Sequence, residues 1–141
     1  METVTTKYLI DTSVLTRQGK PPVLERLEAI TADSFVARCS MTDLEYGFSA
    51  SNRAEWVERH SLLSDGYVPI DVESDDFHVA LKLQSELADA SLKGRKPADL
   101  LIAAVALRLG LTVLHYDHNF KHIAVVSELQ HEWIVPDGTI S

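Results

Sequence analysis

Four acids stand where an alternating strand and helix pattern would gather its chemistry. Asp11 directly follows the apolar run Tyr8-Leu9-Ile10, and Asp117 directly follows Val113-Leu114-His115-Tyr116. Glu45 is expected in the first turn of the helix after Phe35-Val36-Ala37, and Asp99 in the first turn of the apolar helix that begins near Pro97. Each has an ordinary structural role. A carboxylate after a strand bonds neighbouring amides in a turn, and Thr42-Asp43-Leu44-Glu45 fits a capping box. An acid in the first turn of a helix, such as Asp99, favours the positive end of the dipole by about 0.3–1 kcal/mol. Caps and turns do not require convergence, whereas acids brought to one sheet edge repel at a few kcal/mol per close pair, taking an effective dielectric of about 20. A divalent cation offsets that repulsion, and an all-oxygen donor set selects Mg²⁺ or Mn²⁺. Asp99 is the sharpest case, as the only charged residue between Lys96 and Arg108. An acid in such surroundings has to be compensated.

The elements that must position these acids are read from periodicity. Short strands are expected at Tyr8–Ile10, Phe35–Ala37, Tyr67–Ile70, Val113–Tyr116 and Trp133–Val135, with helical segments between them. Val14–Ile30 is interrupted by Gly19-Lys20-Pro21-Pro22, which predicts two helices and a turn. Leu44–Leu63 reads as one or two helices with Trp56 and Leu63 inward, and Ser74–Ser91 as an amphipathic helix carrying Phe77, Leu81, Leu83 and Leu87. Ala98–Leu109 is a further helix, stopped by Gly110. Near-continuous apolar strands separated by helices predict an α/β fold with a mostly parallel sheet covered on both faces. Ligands in such sheets bind beyond the carboxyl ends of the strands. The order of helices leaves one expectation open: the loop before Asp99 must cross back to that edge, or the preceding helix must lie askew.

The chain has 141 residues, enough for one domain over 1–141. Its 13 Lys+Arg against 21 Asp+Glu give a net charge of −8, which argues against a protein that coats nucleic acid with a broad basic face. Ser91-Leu92-Lys93-Gly94-Arg95-Lys96 is the one local basic cluster. The lone Cys39 reads as a buried small hydrophobe, consistent with a reducing compartment. No apolar run nears the ~20 residues of a membrane span, and the polar stretch Met1–Lys7 lacks a secretory core, so the cytoplasm is the expected location. His115, His118 and His122 are close in sequence, but one ends a strand and the others lie beyond a turn, so a shared zinc face is not expected. Trp56 and Trp133 read as core or interface.

Taken in order, Leu9-Ile10-Asp11-Thr12-Ser13-Val14, the Thr42 to Gly47 stretch with Glu45, Pro97-Ala98-Asp99-Leu100 and Leu114-His115-Tyr116-Asp117-His118-Asn119-Phe120 resemble the PIN-domain nucleases, and among them the VapC-type ribonuclease toxins. The resemblance implies a three-layer α/β/α sandwich and a metal-dependent endoribonuclease site. It makes Asp11, Glu45, Asp99 and Asp117 the acidic quartet, with Asp11, Asp99 and Asp117 as ligands of Mg²⁺ and Glu45 as the group that orients or deprotonates the attacking water. Hydrolysis would leave a 5′-phosphate and a 3′-hydroxyl. Where the family often carries a further acid this chain has Asn119, an uncharged ligand that weakens the case for a second tightly held ion. Thr12 and Ser13 are candidates for bonding a phosphate or Asp11, and equally for capping the following helix. Lys93, Arg95 and Lys96 are candidates for holding RNA. A small antitoxin and a homodimer are the partners implied.

Two other protein classes put a carboxylate after the first strand. A haloacid-dehalogenase-like phosphatase needs a second Asp where this chain has Ser13, and a response-regulator receiver needs an acidic pair where only Asp11 stands. A PIN domain in RNA processing, or a non-catalytic PIN-like binding module, remains the alternative.

Overall fold

The computed structural model describes residues 6–141; the start of the polar amino-terminal stretch, residues 1–5, lies outside the described residues. Five strands form one parallel sheet: β1 (Thr6–Ile10), β2 (Phe35–Cys39), β3 (Val68–Ile70), β4 (Thr112–His115) and β5 (Gln130–Trp133), in the order β3-β2-β1-β4-β5. The helices are α1 (Thr12–Leu15), α2 (Pro21–Asp33), α3 (Ser40–Phe48), α4 (Arg53–Gly66), α5 (Ser74–Asp89), α6 (Pro97–Leu109) and α7 (His118–Val125). Side chains alternate across the strands. Leu9, Ala37 and Val113 pack with α5, α6 and α7 on one face. Tyr8, Ile10, Val36 and Leu114 pack with α1, α2, Tyr46 of α3 and Leu63 of α4 on the other. This is the expected three-layer α/β/α sandwich.

Strand order reverses between β1 and β4. The chain winds outward through β2 and β3 on one side and through β4 and β5 on the other, which leaves a crevice at the carboxyl ends of β1 and β4. Helix α6 opens with Pro97, is buried on all sides from Ala98 to Ala106, and ends at Gly110 in the left-handed region with φ 66°. Its approach settles the question of the preceding loop. Arg108 in the last turn of α6 grips Asp76 at 3.0 Å and Glu73 at 3.4 Å at the start of α5, while Gln84 later in α5 donates to the Arg95 carbonyl just before α6. The two helices form an antiparallel hairpin, so residues 90–96 return the chain directly to the crevice and no crossing is needed.

Several boundaries differ from expectation. Helix α3 starts at Ser40, not near Thr42; Thr42 is fully buried and its hydroxyl donates to the Ile10 carbonyl at 3.3 Å. Glu45 therefore sits in the second turn, and the true capping box is Glu73 with Asp76 at α5. On α5 the buried residues are Asp76, Ala80, Leu83 and Leu87, while Phe77 and Leu81 face solvent, as does much of Trp56 on α4. Strand β5 is Gln130–Trp133; the apolar Ile134 and Val135 lie just beyond it, buried, because an edge strand tolerates the polar residues Gln130, His131 and Glu132.

Candidate metal centre

The end of β1 delivers Asp11 as the N-cap of α1. Its Oδ2 accepts the Ser13 amide at 3.0 Å and also the Ser13 hydroxyl. That hydroxyl in turn accepts the Tyr116 amide at 2.8 Å, stitching β1 to β4. Two residues past β4, Asp117 caps α7 and accepts the Asn119 amide at 2.9 Å. From the first turn of α6, Asp99 accepts the Asn119 side-chain amide at 2.7 Å. Asn119 thus braces two carboxylates at once. One carboxylate oxygen from each of Asp11, Asp99 and Asp117 lies within 4.8 Å of the others.

Three carboxylates this close are electrostatically incomplete. Asp11 and Asp99 are each only 2% exposed. Burial raises the Asp11 carboxyl to about 7; its Ser13 bonds oppose that shift, and the charges of Asp99 and Glu45 add to it. Burial likewise raises Asp99 to about 6, with the Asn119 bond and Lys96 opposing and the Asp117 and Glu45 charges adding. The buried Asp11 Oδ1 has no hydrogen-bond partner. An oxygen trio with an orphaned, buried acceptor fits a hard divalent cation.

Glu45 stands at the margin, outside the trio. Its two oxygens accept from the Thr12 hydroxyl at 3.0 Å and from the Lys96 ammonium at 3.1 Å. The Glu45 bond in turn holds Lys96 above the ordinary lysine range, with the Asp99 and Asp11 charges acting the same way. Thr12 and Ser13 therefore orient Glu45 and Asp11 here. Lys96 reaches the acids, whereas Lys93 and Arg95 stand exposed on the loop with no side-chain bond among the described residues.

Among the described residues His118 meets Asp137 at 3.1 Å, whereas His115 lies in the core. His115 is fully buried and both ring nitrogens are engaged: Nδ1 accepts the Asp117 amide at 3.1 Å, and Nε2 faces His131 Nδ1 at 2.8 Å. Because Nδ1 accepts, Nε2 carries the proton and donates it to His131. Burial lowers His115 to about 3, with the His131 and His118 charges acting the same way. This neutral support for the Asp117 backbone was not anticipated, although a histidine two residues before an acid at a strand end was its signal.

A PIN-domain family profile matches residues 8–126, which hold all four acids. The chain belongs to the PIN-domain family. It is 44% identical to Ribonuclease VapC51 of Mycobacterium tuberculosis over 134 residues, covering 95% of this chain and 97% of the relative. In shape this PIN chain matches VapBC2 from Rickettsia felis, a structure solved on promoter DNA, with a TM-score of 0.73 and 20% identity over 89% of this chain and 97% of that one. It also matches VapBC-5 of the toxin–antitoxin family from M. tuberculosis, with a TM-score of 0.62 and 26% identity over 93% and 98% of the two chains. No helix among the described residues is long and apolar enough to cross a membrane.

Proposed function

We propose that this PIN domain, taken as one unit over 1–141, is a divalent-metal-dependent endoribonuclease and the toxin of a toxin–antitoxin pair. The convergence of one carboxylate oxygen each from Asp11, Asp99 and Asp117, together with the buried, unpartnered Oδ1 of Asp11, carries the proposal, supported by 44% identity to a ribonuclease. These three residues would hold Mg²⁺, or Mn²⁺ in its place, which when bound stabilises charge on a phosphodiester and acidifies a water. Ser13 and Asn119 fix the three carboxylates, so little reorganisation is left for the moment of reaction. Glu45, tethered by Thr12, orients the attacking water and takes its proton. Lys96 stands where it can meet the phosphate.

The VapBC likeness extends the proposal to a homodimer with a small antitoxin. A basic antitoxin side chain would enter the acidic pocket much as Lys96 reaches its edge, and the protein is expected to work in the cytoplasm.

The test is digestion of total cellular RNA. Cleavage is expected with Mg²⁺, leaving 5′-phosphate ends, and should be abolished by chelator and reduced at least about a hundred-fold by Asp11→Asn. Cleavage that survives both treatments would sink the proposal. Expression without a partner should arrest growth, and Asp11→Asn should relieve the arrest.

A further inference from the structure

Beside the acidic trio opens a second cleft of about 420 Å³. Ser13 and Asp117 form the wall nearest the trio, and Arg17, Tyr116, His118 and Trp133 line the rest together with the 137–140 segment, which includes Asp137. We infer that this cleft is a subsite for the single-stranded nucleotide flanking the scissile phosphate, with Arg17 taking that nucleotide's phosphate and the aromatic side chains its base. The inference rests on the nuclease proposal above.

The volume falls in the ordinary range for small-ligand pockets, about 300–1,000 Å³. Continuity with the trio is direct. Arg17 Nη1 donates to the Ser13 carbonyl at 2.8 Å, and Ser13 is itself bonded to Asp11. Arg26, Arg38, Arg59 and Arg108 are each bound to a side-chain carboxylate, whereas Arg17, like Arg53 and Arg95, is bound to none among the described residues. Its bonds go to the Ser13 carbonyl, the Thr16 hydroxyl and a main-chain oxygen of Ser141, the last residue of the sequence. Its guanidinium lies 5.1 Å above the Tyr116 ring, so the fork is held in place before any anion arrives. On a chain of net charge −8, a fixed cation next to the acids is a specific provision for an anion.

The remaining walls suit a base. Trp133 packs edge to face with Tyr116 at 5.4 Å and with His118 at 5.0 Å, which holds all three rings. The Tyr116 hydroxyl donates to the Ile140 carbonyl at 2.7 Å and accepts the Gly138 amide at 3.0 Å, fixing the outer wall. Asp137, the other acid in the cleft, is met by His118 Nε2 at 3.1 Å. Aromatic faces beside a guanidinium recur where proteins hold unpaired bases with little sequence preference.

The test uses the Trp56→Phe chain, which leaves Trp133 as its only tryptophan, titrated with a hexaribonucleotide in Ca²⁺ buffer. Saturable quenching of Trp133 is expected. Arg17→Gln in that background should weaken binding about ten-fold and flatten the slope of log affinity against log salt by about 0.7, the loss of one phosphate contact on a single strand. Arg17→Lys, which keeps the charge, should retain most of the slope, and thermal melts confirm that each variant is folded. Absence of quenching, or equal affinity and slope in Arg17→Gln, overturns the subsite. RNA cleavage is assayed separately with Mg²⁺. If RNA is cut while Arg17→Gln binds unchanged, the subsite fails alone; if RNA is not cut while quenching and the Arg17 effect persist, the nuclease proposal fails and takes the scissile-phosphate subsite with it, leaving a cleft that only binds RNA.

Discussion

At the scale of single residues, Asp11 and Asp99 pit stability against function. Their carboxyls are raised from 3.8 to about 7 and about 6. The native state therefore binds more protons than the unfolded chain between about pH 4 and pH 7, and the metal-free protein loses stability as pH rises through that window. Asp99→Asn keeps an acceptor for the Asn119 amide and removes one charge. At pH 8 without metal it should be more stable than wild type by about 1–3 kcal/mol, taking ~1.4 kcal/mol per pKa unit, and the difference should shrink toward pH 5. Metal acts in the opposite sense, because its ligands must be ionised. Millimolar Mg²⁺ should raise the wild-type melting temperature more at pH 8 than at pH 5.5 and have little effect on Asp99→Asn. Thermal melts across pH, with and without Mg²⁺, check both. An Asp99→Asn chain that is less stable than wild type at pH 8 and still responds to Mg²⁺ would contradict the assignment.

At the scale of elements, residues 90–96 decide whether Asp99 and Asn119 meet. Gly94 has φ +94°, and a Cβ there would stand 2.9 Å from the Asn119 carbonyl oxygen and 3.2 Å from the His122 Cβ. The α5–α6 turn thus lies directly against the start of α7. Gly94→Ala should cost about 1–3 kcal/mol and blunt the Mg²⁺ response, since it pushes on the segment that braces Asp99 and Asp117. Gly110→Ala, also at positive φ but with nothing within 4 Å, is the control and should cost less while leaving that response intact. Urea denaturation and Mg²⁺ melts of the two variants test this; equal effects would remove the clasp role of Gly94. Neither the clasp nor the α5–α6 hairpin was legible in the sequence, because both depend on contacts between elements. Strand ends were legible: Asp11 and Asp117 follow apolar runs that end at the sheet edge. The start of α3 was not, because Thr42 has the chemistry of a cap and uses it instead to hold the Ile10 carbonyl from inside the core. Phe77 and Leu81 misled in a similar way, since helical spacing marks an apolar stripe without saying whether that stripe faces the sheet.

At the scale of the whole molecule, the −8 charge sets how RNA can be held. Composition argues against a broad basic surface, and the structure places four of the 13 basic side chains by the crevice. Lys96 lies at the edge of the acidic trio, Arg17 in the adjoining cleft, and Lys93 and Arg95 on the loop beside α6. No more than about four phosphates can be met by these side chains, so log affinity should fall with log salt at a slope of about −2 to −3 for single-stranded RNA, shallower than a basic RNA-coating protein would give. Without a cation the trio repels the very phosphate it is placed to meet, and binding should weaken at least ten-fold in chelator at constant ionic strength. Filter binding or fluorescence titration of an RNA oligonucleotide with Glu45→Gln, which retards cleavage and leaves the three metal-holding carboxylates in place, separates the two contributions. A steep slope with no response to chelator would mean that a basic surface holds the RNA, and would place the binding site away from the β1–β4 crevice.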